Sequence, residues 1–384
     1  MAEERLVPKL RFSGFNDEWK SFKLNEISDR ITRKNKSLET DRPLTISAQF
    51  GLVDQIEYFN KIVASKSLKN YYLLNNGEFA YNKSYSNGYP FGAVKRLDDY
   101  ENGAISTLYI CFDVNDKMNS DLLKEYFETD KWYKEIYKIA VEGARNHGLL
   151  NIAINDFFNT KHVLPTNKQE QEKIAKFLIE VNKKIELLEN KLQRYQDFKK
   201  YLMQQIFAQK LRFDFKNEWR QCKLKDLLTV KSSNISINQL EDNTGEYPLY
   251  GASGFLKNID FCEMETDYIS IVKDGSGVGN LSFHEKKSSI VNTSQYLLPK
   301  KDFDIHFLYY QLQTLNLLKY VNGSSIPHIY FKDYCIEKVT VPSLPEQQKI
   351  GKLFVDTDKT LENIDNNIRV TQEFKKGLLQ QMFV

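Results

Sequence analysis

The chain carries the stretch FKKYLMQQIF at residues 198–207 and repeats it as FKKGLLQQMF at residues 374–383. The two copies lie 176 positions apart (374 minus 198), and the same separation joins Gln171 to Gln347. Two matched sequence stretches with the same separation indicate an internal repeat. Such a repeat is more informative about the fold than any single motif.

Each copy ends a stretch that has the periodicity of a long helix. Apolar residues recur at threes and fours from residue 169 to residue 209, a range without Gly or Pro, and again from residue 343 onwards. A helix of about 40 residues is roughly 60 Å long, so we expect the two helices to pack on each other as a coiled coil. Capping boxes are predicted at their starts, in Ser343–Glu346 and in either Asn167–Glu170 or Thr166–Gln169.

A second repeat has a different offset and predicts how the helices run. The residues LRF at 10–12 return at 211–213, and Glu18-Trp19 returns as Glu218-Trp219. Because the first helix leads from one globular part to the other, repeated contacts require the second helix to return to the N-terminal segment. We therefore predict antiparallel helices related by a pseudo-twofold axis, with Phe383 beside Phe12.

The parts between the helices have short β-branched and aromatic runs broken by Asn, Gly, Ser and Asp, which is typical of strands and turns. One amphipathic helix is predicted in each, over Leu122–Ile139 and Ile305–Leu318. The expected fold is α+β, with two mixed α/β domains separated by the two long helices. The expected bounds are 1–164 and 211–342 for the domains, and 165–210 and 343–384 for the helices.

Composition excludes several classes of protein. The net charge of +3 permits nucleic acid as a partner without requiring it. Four well-separated cysteines indicate neither a disulfide framework nor a zinc site. Neither a signal peptide nor a membrane span is predicted, so a cytoplasmic location is expected.

No motif predicts catalysis. The glycines of 275–279 resemble a nucleotide loop, but the residues after them are strand-like, whereas phosphate binding needs a helix N-terminus. No P-loop and no adenine-methyltransferase motif is present, and the five histidines lack metal-ligand spacing. We expect a chain that is not an enzyme and that binds no metal or cofactor.

The repeated segments resemble the conserved regions of the specificity subunits of type I restriction–modification systems. The resemblance lies in residues 343–350, 170–174 and 322–327, in the repeated helix ends and in the LRF segments. It implies a DNA reader with two target-recognition domains, which recruits two methyltransferase subunits and, when they are present, two translocating nuclease subunits. S-adenosylmethionine is then expected on the methyltransferase subunits. In the first half, residues 142–147 depart from the form that 322–327 have in the second.

The alternative is a coiled-coil adaptor that binds proteins and not DNA. If the chain reads DNA, it needs Lys and Arg for phosphates, and Arg, Lys, Asn, Gln, Ser or Thr for base edges. Polar loops with these residues lie in both domains, although the competing interpretation of each loop is a solvated turn. The candidates in the first domain are Asn82, Lys83, Ser84, Tyr85, Ser86, Arg145, Asn146 and His147. The candidates in the second domain are Lys273, Ser276, Ser324, Ser325 and His328. Because the two sets differ, the expected DNA target is asymmetric, with two half-sites and a gap set by the helices.

Overall fold

The two copies of the repeated stretch end two helices of 40 and 39 residues, Lys168–Phe207 and Leu344–Met382. This computed structural model describes residues 5–61, 67–140, 150–240, 242–323 and 325–384. The chain divides into unit 1, Met1–Leu187 with Asn367–Val384, and unit 2, Leu188–Asn366. Each long helix therefore gives one part to each unit.

The first globular part consists of short strands and helices. Its strands are β1 (Lys20–Lys23), β2 (Ser28–Arg30), β3 (Pro43–Ser47), β4 (Gly51–Asp54), β5 (Tyr72–Asn75), β6 (Phe79–Asn82), β7 (Ala93–Arg96), β8 (Asn102–Ile105), β9 (Ile110–Val114) and β10 (Lys161–Leu164). Its helices are α1 (Leu24–Ile27), α2 (Gln55–Phe59), α3 (Ser120–Phe127), α4 (Tyr133–Ile139) and α5 (Ile154–Phe158), and the long helix Lys168–Phe207 follows as α6.

The second globular part repeats this plan with fewer elements. Its strands are β11 (Arg220–Lys223), β12 (Leu228–Ser232), β13 (Tyr247–Gly251), β14 (Gly254–Ile259), β15 (Tyr268–Val272), β16 (Leu281–His284), β17 (Ser289–Ile290), β18 (Ser294–Pro299) and β19 (Lys338–Val341). Its helices are α7 (Leu224–Leu227), α8 (Ile305–Gln313) and α9 (Phe331–Tyr334), and the long helix Leu344–Met382 follows as α10. Two 3-10 turns lie at Ile237–Gln239 and Leu317–Tyr320.

Each sheet of the first part has a counterpart in the second, and one pair of sheets corresponds strand by strand. An antiparallel four-stranded sheet has the order β2-β9-β6-β7 in unit 1, and its counterpart in unit 2 has the order β12-β18-β15-β16. A further sheet has the order β4-β3-β8-β5 in unit 1 and β14-β13-β17 in unit 2. The two-stranded pairs β1-β10 and β11-β19 begin and end each globular part. The predicted α+β class with an internal repeat is confirmed.

Opposite ends of the long helices share a core in each unit. In unit 1 the start of α6, with Leu178, lies in one core with the end of α10, with Met382. In unit 2 the end of α6, with Ile206, lies in one core with the start of α10, with Phe354. This is the antiparallel arrangement that the repeats predict.

The N-terminal segment also lies where the prediction places it. The Leu10 N–H donates a hydrogen bond of 2.9 Å to the Gln381 carbonyl, and Phe12 packs on the core that contains Phe383. In unit 2 the Leu211 N–H donates to the Gln205 carbonyl at 3.1 Å. The repeated contact therefore joins two distant segments of the chain in unit 1, whereas in unit 2 it joins residues that are close in sequence.

A buried carboxylate joins the LRF segment to the start of each long helix. Glu170 is 1% exposed, and its carboxylate accepts two hydrogen bonds from the Arg11 guanidinium, at 2.6 and 2.9 Å. The Trp19 indole N–H donates to the same carboxylate at 3.3 Å. This hydrogen bonding to Glu170 raises the pKa of Arg11 further above its ordinary value. The bidentate pair therefore fixes both the position and the orientation of the segment.

Unit 2 contains the same joint, which we call the Arg–Trp–Glu joint in both units. Glu346, 0% exposed, accepts from Arg212 at 3.2 and 2.9 Å and from the Trp219 indole at 3.2 Å. The predicted capping boxes are therefore wrong in one respect, because both glutamates bind the distant segment instead of their own helix start. In α6 the cap is the Asn167 side chain, which accepts from the N–H groups of residues 169 and 170.

The neighbouring glutamine of each long helix positions a helix of the globular part. The side-chain oxygen of Gln171 accepts a hydrogen bond of 2.9 Å from the Asn119 backbone N–H. The side-chain NH2 group of Gln171 donates to the Pro165 backbone carbonyl at 2.8 Å. The Asn119 side chain caps α3. Gln347 makes the equivalent bonds to Asp304, which caps α8, and to Pro342.

The prediction of one helix over Leu122–Ile139 is wrong, because the chain turns between α3 and α4. Trp132 is fully buried, and its indole N–H donates to the Phe127 carbonyl, while the Thr129 hydroxyl donates to the Tyr126 carbonyl. Side chains therefore occupy carbonyls that a continuing helix would use. The predicted helix Ile305–Leu318 likewise ends at Gln313, where the Thr314 hydroxyl donates to the Gln311 carbonyl.

We expect Glu170→Gln to lower the free energy of unfolding of unit 1 by about 2–4 kcal/mol, because it removes the charge that pairs with the largely buried Arg11. Glu346→Gln should act similarly on unit 2. Urea unfolding followed by circular dichroism measures both changes. The control is Glu172→Gln, since the Glu172 side chain is 57% exposed on the same helix. Equal effects of Glu170→Gln and Glu172→Gln would contradict a structural role for the joint.

Candidate nucleic-acid interface

The candidates of the first domain lie at the end of β6 and in the loop that joins it to β7. The Asn82 side chain accepts from the Ser84 N–H at 3.0 Å, and Ser86 pairs through its backbone with Tyr89. The Tyr85 side chain projects from this loop and is 60% exposed. Asn82, Lys83, Ser84 and Ser86 are half-buried. The loop is thus an ordered hairpin end that presents several hydrogen-bonding groups.

A glycine fixes the second arm of this hairpin. Gly92 has φ +76°, and a Cβ there would lie 2.0 Å from the Asn82 carbonyl oxygen. Beside this close approach, the Tyr81 hydroxyl donates to the Phe91 carbonyl at 2.7 Å. Gly88, at φ +82°, has open space around it.

The candidates of the second domain lie in the equivalent hairpin, between β15 and β16. Lys273 follows β15 directly, and Ser276 is exposed at the turn. The Gly279 N–H donates to the Val272 carbonyl at 2.8 Å and closes the turn. Lys273 forms an ion pair of 3.2 Å with Asp274, so its ammonium is already oriented.

The structure brings the His328 loop against this hairpin. The Gly275 N–H donates to the Pro327 carbonyl and the Ile329 N–H to the Lys273 carbonyl, both at 2.8 Å. His328 is half-buried and exchanges two backbone hydrogen bonds with Asn322. Ser325 is exposed in the same loop. Ser324 lies outside the described residues.

The same contact exists in unit 1. There the Leu150 N–H donates to the Lys83 carbonyl at 2.9 Å, as Ile329 does to Lys273. Arg145, Asn146 and His147 precede Leu150 and lie outside the described residues. The described candidates near β6 and β15 therefore occupy matching hairpins of matching sheets, whereas Ser325 and His328 lie in the loop that packs against the second hairpin.

The structure adds residues that the sequence patterns did not single out. Gln49 donates through its side-chain amide to the Asn87 carbonyl at 3.5 Å, which brings the end of hairpin β3-β4 to the candidate loop. Phe50, beside it, is 71% exposed. The signal in the sequence is a polar residue before an aromatic–glycine pair, which is too common to be selective. Tyr330 in unit 2 contacts the His328 ring at 5.1 Å between centroids.

Two histidines have structural roles. His162 is buried between the Thr160 hydroxyl, at 2.8 Å, and the Tyr126 hydroxyl, at 3.1 Å, and burial lowers its pKa to about 4. His284 accepts from or donates to Ser270 at 2.9 Å, and burial also lowers its pKa to about 4. Both are neutral core residues near pH 7. Within the described residues, no group of three His, Cys, Asp or Glu side chains could hold a metal ion.

The glycine-rich loop 275–279 leads into β16 and not into a helix, as the sequence predicts. It therefore presents no helix N-terminus to a phosphate. In the described part of the chain, no helix is long and apolar enough to cross a membrane.

Comparisons with known proteins identify relatives. Residues 216–372 match the family described as the type I restriction modification DNA specificity domain. The specificity subunit of the type I restriction enzyme MjaVIII from Methanocaldococcus jannaschii is 29% identical over 180 residues, which are 43% of this chain and 42% of that protein. The alignments span between 42% and 64% of the length of the curated relatives.

Solved structures share the fold over nearly the whole chain. The crystal structure of the S subunit of a type I restriction-modification system from M. genitalium has a TM-score of 0.65 and 19% identity, and covers 98% of this chain and 99% of that one. A structure described under complex assembly and conformational transition of the type I R-M system has a TM-score of 0.54 and 14% identity, with 95% and 97% covered. These structures show the shared fold, and the family match over residues 216–372 confirms the resemblance that the repeats indicate.

We expect Gly92→Ala to destabilise unit 1 more than Gly88→Ala does. Both substitutions place a side chain at positive φ, which costs about 1–2 kcal/mol, but only the first adds a clash with the Asn82 carbonyl. The midpoint of thermal unfolding measures the difference. Equal shifts for the two variants would show that the hairpin arms are free to separate.

Proposed function

Because residues 216–372 match the type I restriction modification DNA specificity domain, we propose that this chain is the DNA-reading subunit of such a system. Each globular part reads one half of a split DNA site. The observation that carries the proposal is the pair of matching hairpins, β6-β7 and β15-β16, which present different side chains from the same place in matching sheets.

The chemistry of the hairpins supports this assignment. Lys83 and Lys273 follow the two inner strands at the same position, where an ammonium can neutralise a phosphate. Amide and hydroxyl groups of Asn82, Ser86 and Ser276 are of the type that reads base edges in the major groove. Because Val272 and Gly275 stand in the second hairpin where the first has Asn82 and Tyr85, the two half-sites differ, and the whole target is asymmetric.

The long helices determine the gap and dock the other subunits. Two methyltransferase subunits carry S-adenosylmethionine and perform the chemistry in the cytoplasm, and two translocating nuclease subunits join when the system restricts DNA. This chain itself is not catalytic. The internal repeat supports the number two, because repeated surfaces on α6 and α10 offer equivalent contacts to identical partners.

Co-expression with the methyltransferase subunit in a methylation-free host tests the proposal. Long-read sequencing should then reveal N6-methyladenine in a single split, asymmetric motif that is absent without this chain. A soluble complex that produces no methylation would overturn the proposal and favour the adaptor, whose helices would bind proteins only. Salt-dependent binding of the chain to duplex DNA separates the two functions independently.

We expect Lys83→Ala to weaken DNA binding and to reduce the salt slope by about 1, because one phosphate contact is lost. The measurement is fluorescence anisotropy of a labelled duplex at several salt concentrations. The control is Lys176→Ala on α6, where the side chain is 79% exposed and outside the hairpin. A slope that changes equally in the two variants would indicate that Lys83 has no special contact.

We also expect the helices to behave as a spacer. Insertion of four residues after both Asn190 and Asn366, which are equivalent in the repeat, lengthens each helix by about 6 Å. This corresponds to about two base pairs of duplex. The methylated motif should keep both half-sites and gain a wider gap. A changed half-site would contradict the separation of reading from spacing.

A further inference from the structure

A polar triad lies where α3 packs on the long helices in unit 1. Glu125 of α3 is 1% exposed. Its carboxylate accepts a hydrogen bond of 2.7 Å from the Asn182 amide of α6, and the Lys375 ammonium of α10 lies 3.3 Å from its other oxygen. The site therefore contains one buried negative charge and one positive charge.

A second triad lies where α8 packs on the long helices in unit 2. The Tyr310 hydroxyl donates a hydrogen bond of 2.6 Å to Asp358 of α10, and the Lys199 ammonium of α6 forms an ion pair with the same carboxylate. The ammonium also lies 5.1 Å from the centroid of the Tyr310 ring. Tyr310 is 2% exposed, and burial raises its pKa, so the hydroxyl stays a neutral donor.

The two triads occupy equivalent positions. Asn182 and Asp358 are separated by the repeat distance of 176 residues (358 minus 182), as are Lys199 and Lys375 (375 minus 199). Glu125 and Tyr310 each lie six positions after the N-cap of their helix, which is Asn119 in α3 and Asp304 in α8. Both triads therefore contain the lysine. The carboxylate lies on the globular part in unit 1, as Glu125, and on the long helix in unit 2, as Asp358.

We infer that the two triads determine where each globular part can dock stably on the long helices. The first part fits the helix segments that carry Asn182 and Lys375, and the second part fits the segments that carry Lys199 and Asp358. A part that carries glutamate would meet Asp358 on the other helix, and two carboxylates would face one ammonium. A part that carries tyrosine would meet Asn182, and the ammonium would have no carboxylate. Either mismatch leaves an uncompensated charge at a largely buried site, which is strongly destabilising.

This inference concerns the pairing of the domains with the helices and does not depend on DNA reading. It predicts that one substitution has opposite effects in two chains. Asp358→Asn in the natural chain removes the carboxylate and should lower the midpoint of thermal unfolding by at least about 5 °C. In a chain in which residues 20–164 also replace residues 220–341, Asp358→Asn should raise the midpoint, because it recreates the Glu–Asn–Lys triad.

The control is Asp365→Asn, which makes the same change at an exposed position of α10 and should be neutral in both chains. Calorimetry and the yield of soluble protein are the measurements. A shift of the same sign in both chains would overturn the inference, as would an effect of Asp365→Asn equal to that of Asp358→Asn.

A double-mutant cycle in the natural chain tests the inference even if the chain with the replaced domain does not fold. Asn182→Asp places a second carboxylate beside Glu125 and should lower the midpoint. Glu125→Gln added to Asn182→Asp leaves one carboxylate, now on the helix, and should recover much of that loss. A still lower midpoint in the double variant would mean that the carboxylate is not interchangeable between the two positions, which would overturn the inference.

Discussion

A glutamate buried in the first turn of each long helix is the contact on which the rest of the structure depends. Glu170 holds Arg11 and Trp19, and Glu346 holds Arg212 and Trp219, so each globular part is fixed at its first strand and at its exit into a long helix. A buried carboxylate needs such partners, because burial without them would be costly. The first strand of each globular part therefore keeps its position only when the first turn of the long helix is intact.

From this joint the structure extends outward to the hairpins. The next residue, glutamine in both helices, holds the N-cap of α3 or α8, and these helices lie against the sheet that contains the candidate hairpin. The hairpins are thus positioned by a chain of contacts that is the same in both units, whereas the exposed side chains on them differ. A shared scaffold with variable loops is how one fold can serve many binding specificities.

The internal repeat makes the architecture predictable from the sequence, but it does not predict which side chains meet across distant segments. The matched stretches near residues 198 and 374 predict both helices and their direction, and the polar, glycine-containing loops predict the hairpins. The role of Glu170 does not follow from its local sequence, because its partner Arg11 lies 159 residues away. The break at Trp132 depends on a buried indole, which periodicity does not reveal. Glu125 and Tyr310 differ in residue type, so their equivalence is visible only in the structure, where each lies six positions after the N-cap of its helix.

The division of the chain also determines which residues must be made before unit 1 can be completed. Unit 2 is continuous from Leu188 to Asn366, whereas unit 1 includes the last eighteen residues, Asn367–Val384. Leu378, Met382 and Phe383 are buried in the core of unit 1. The core of unit 1 therefore stays incomplete until residues 367–384 have been added, at about 5–20 residues per second. The part of the chain that is made first thus depends on residues that are made about 180 positions after its own long-helix segment ends.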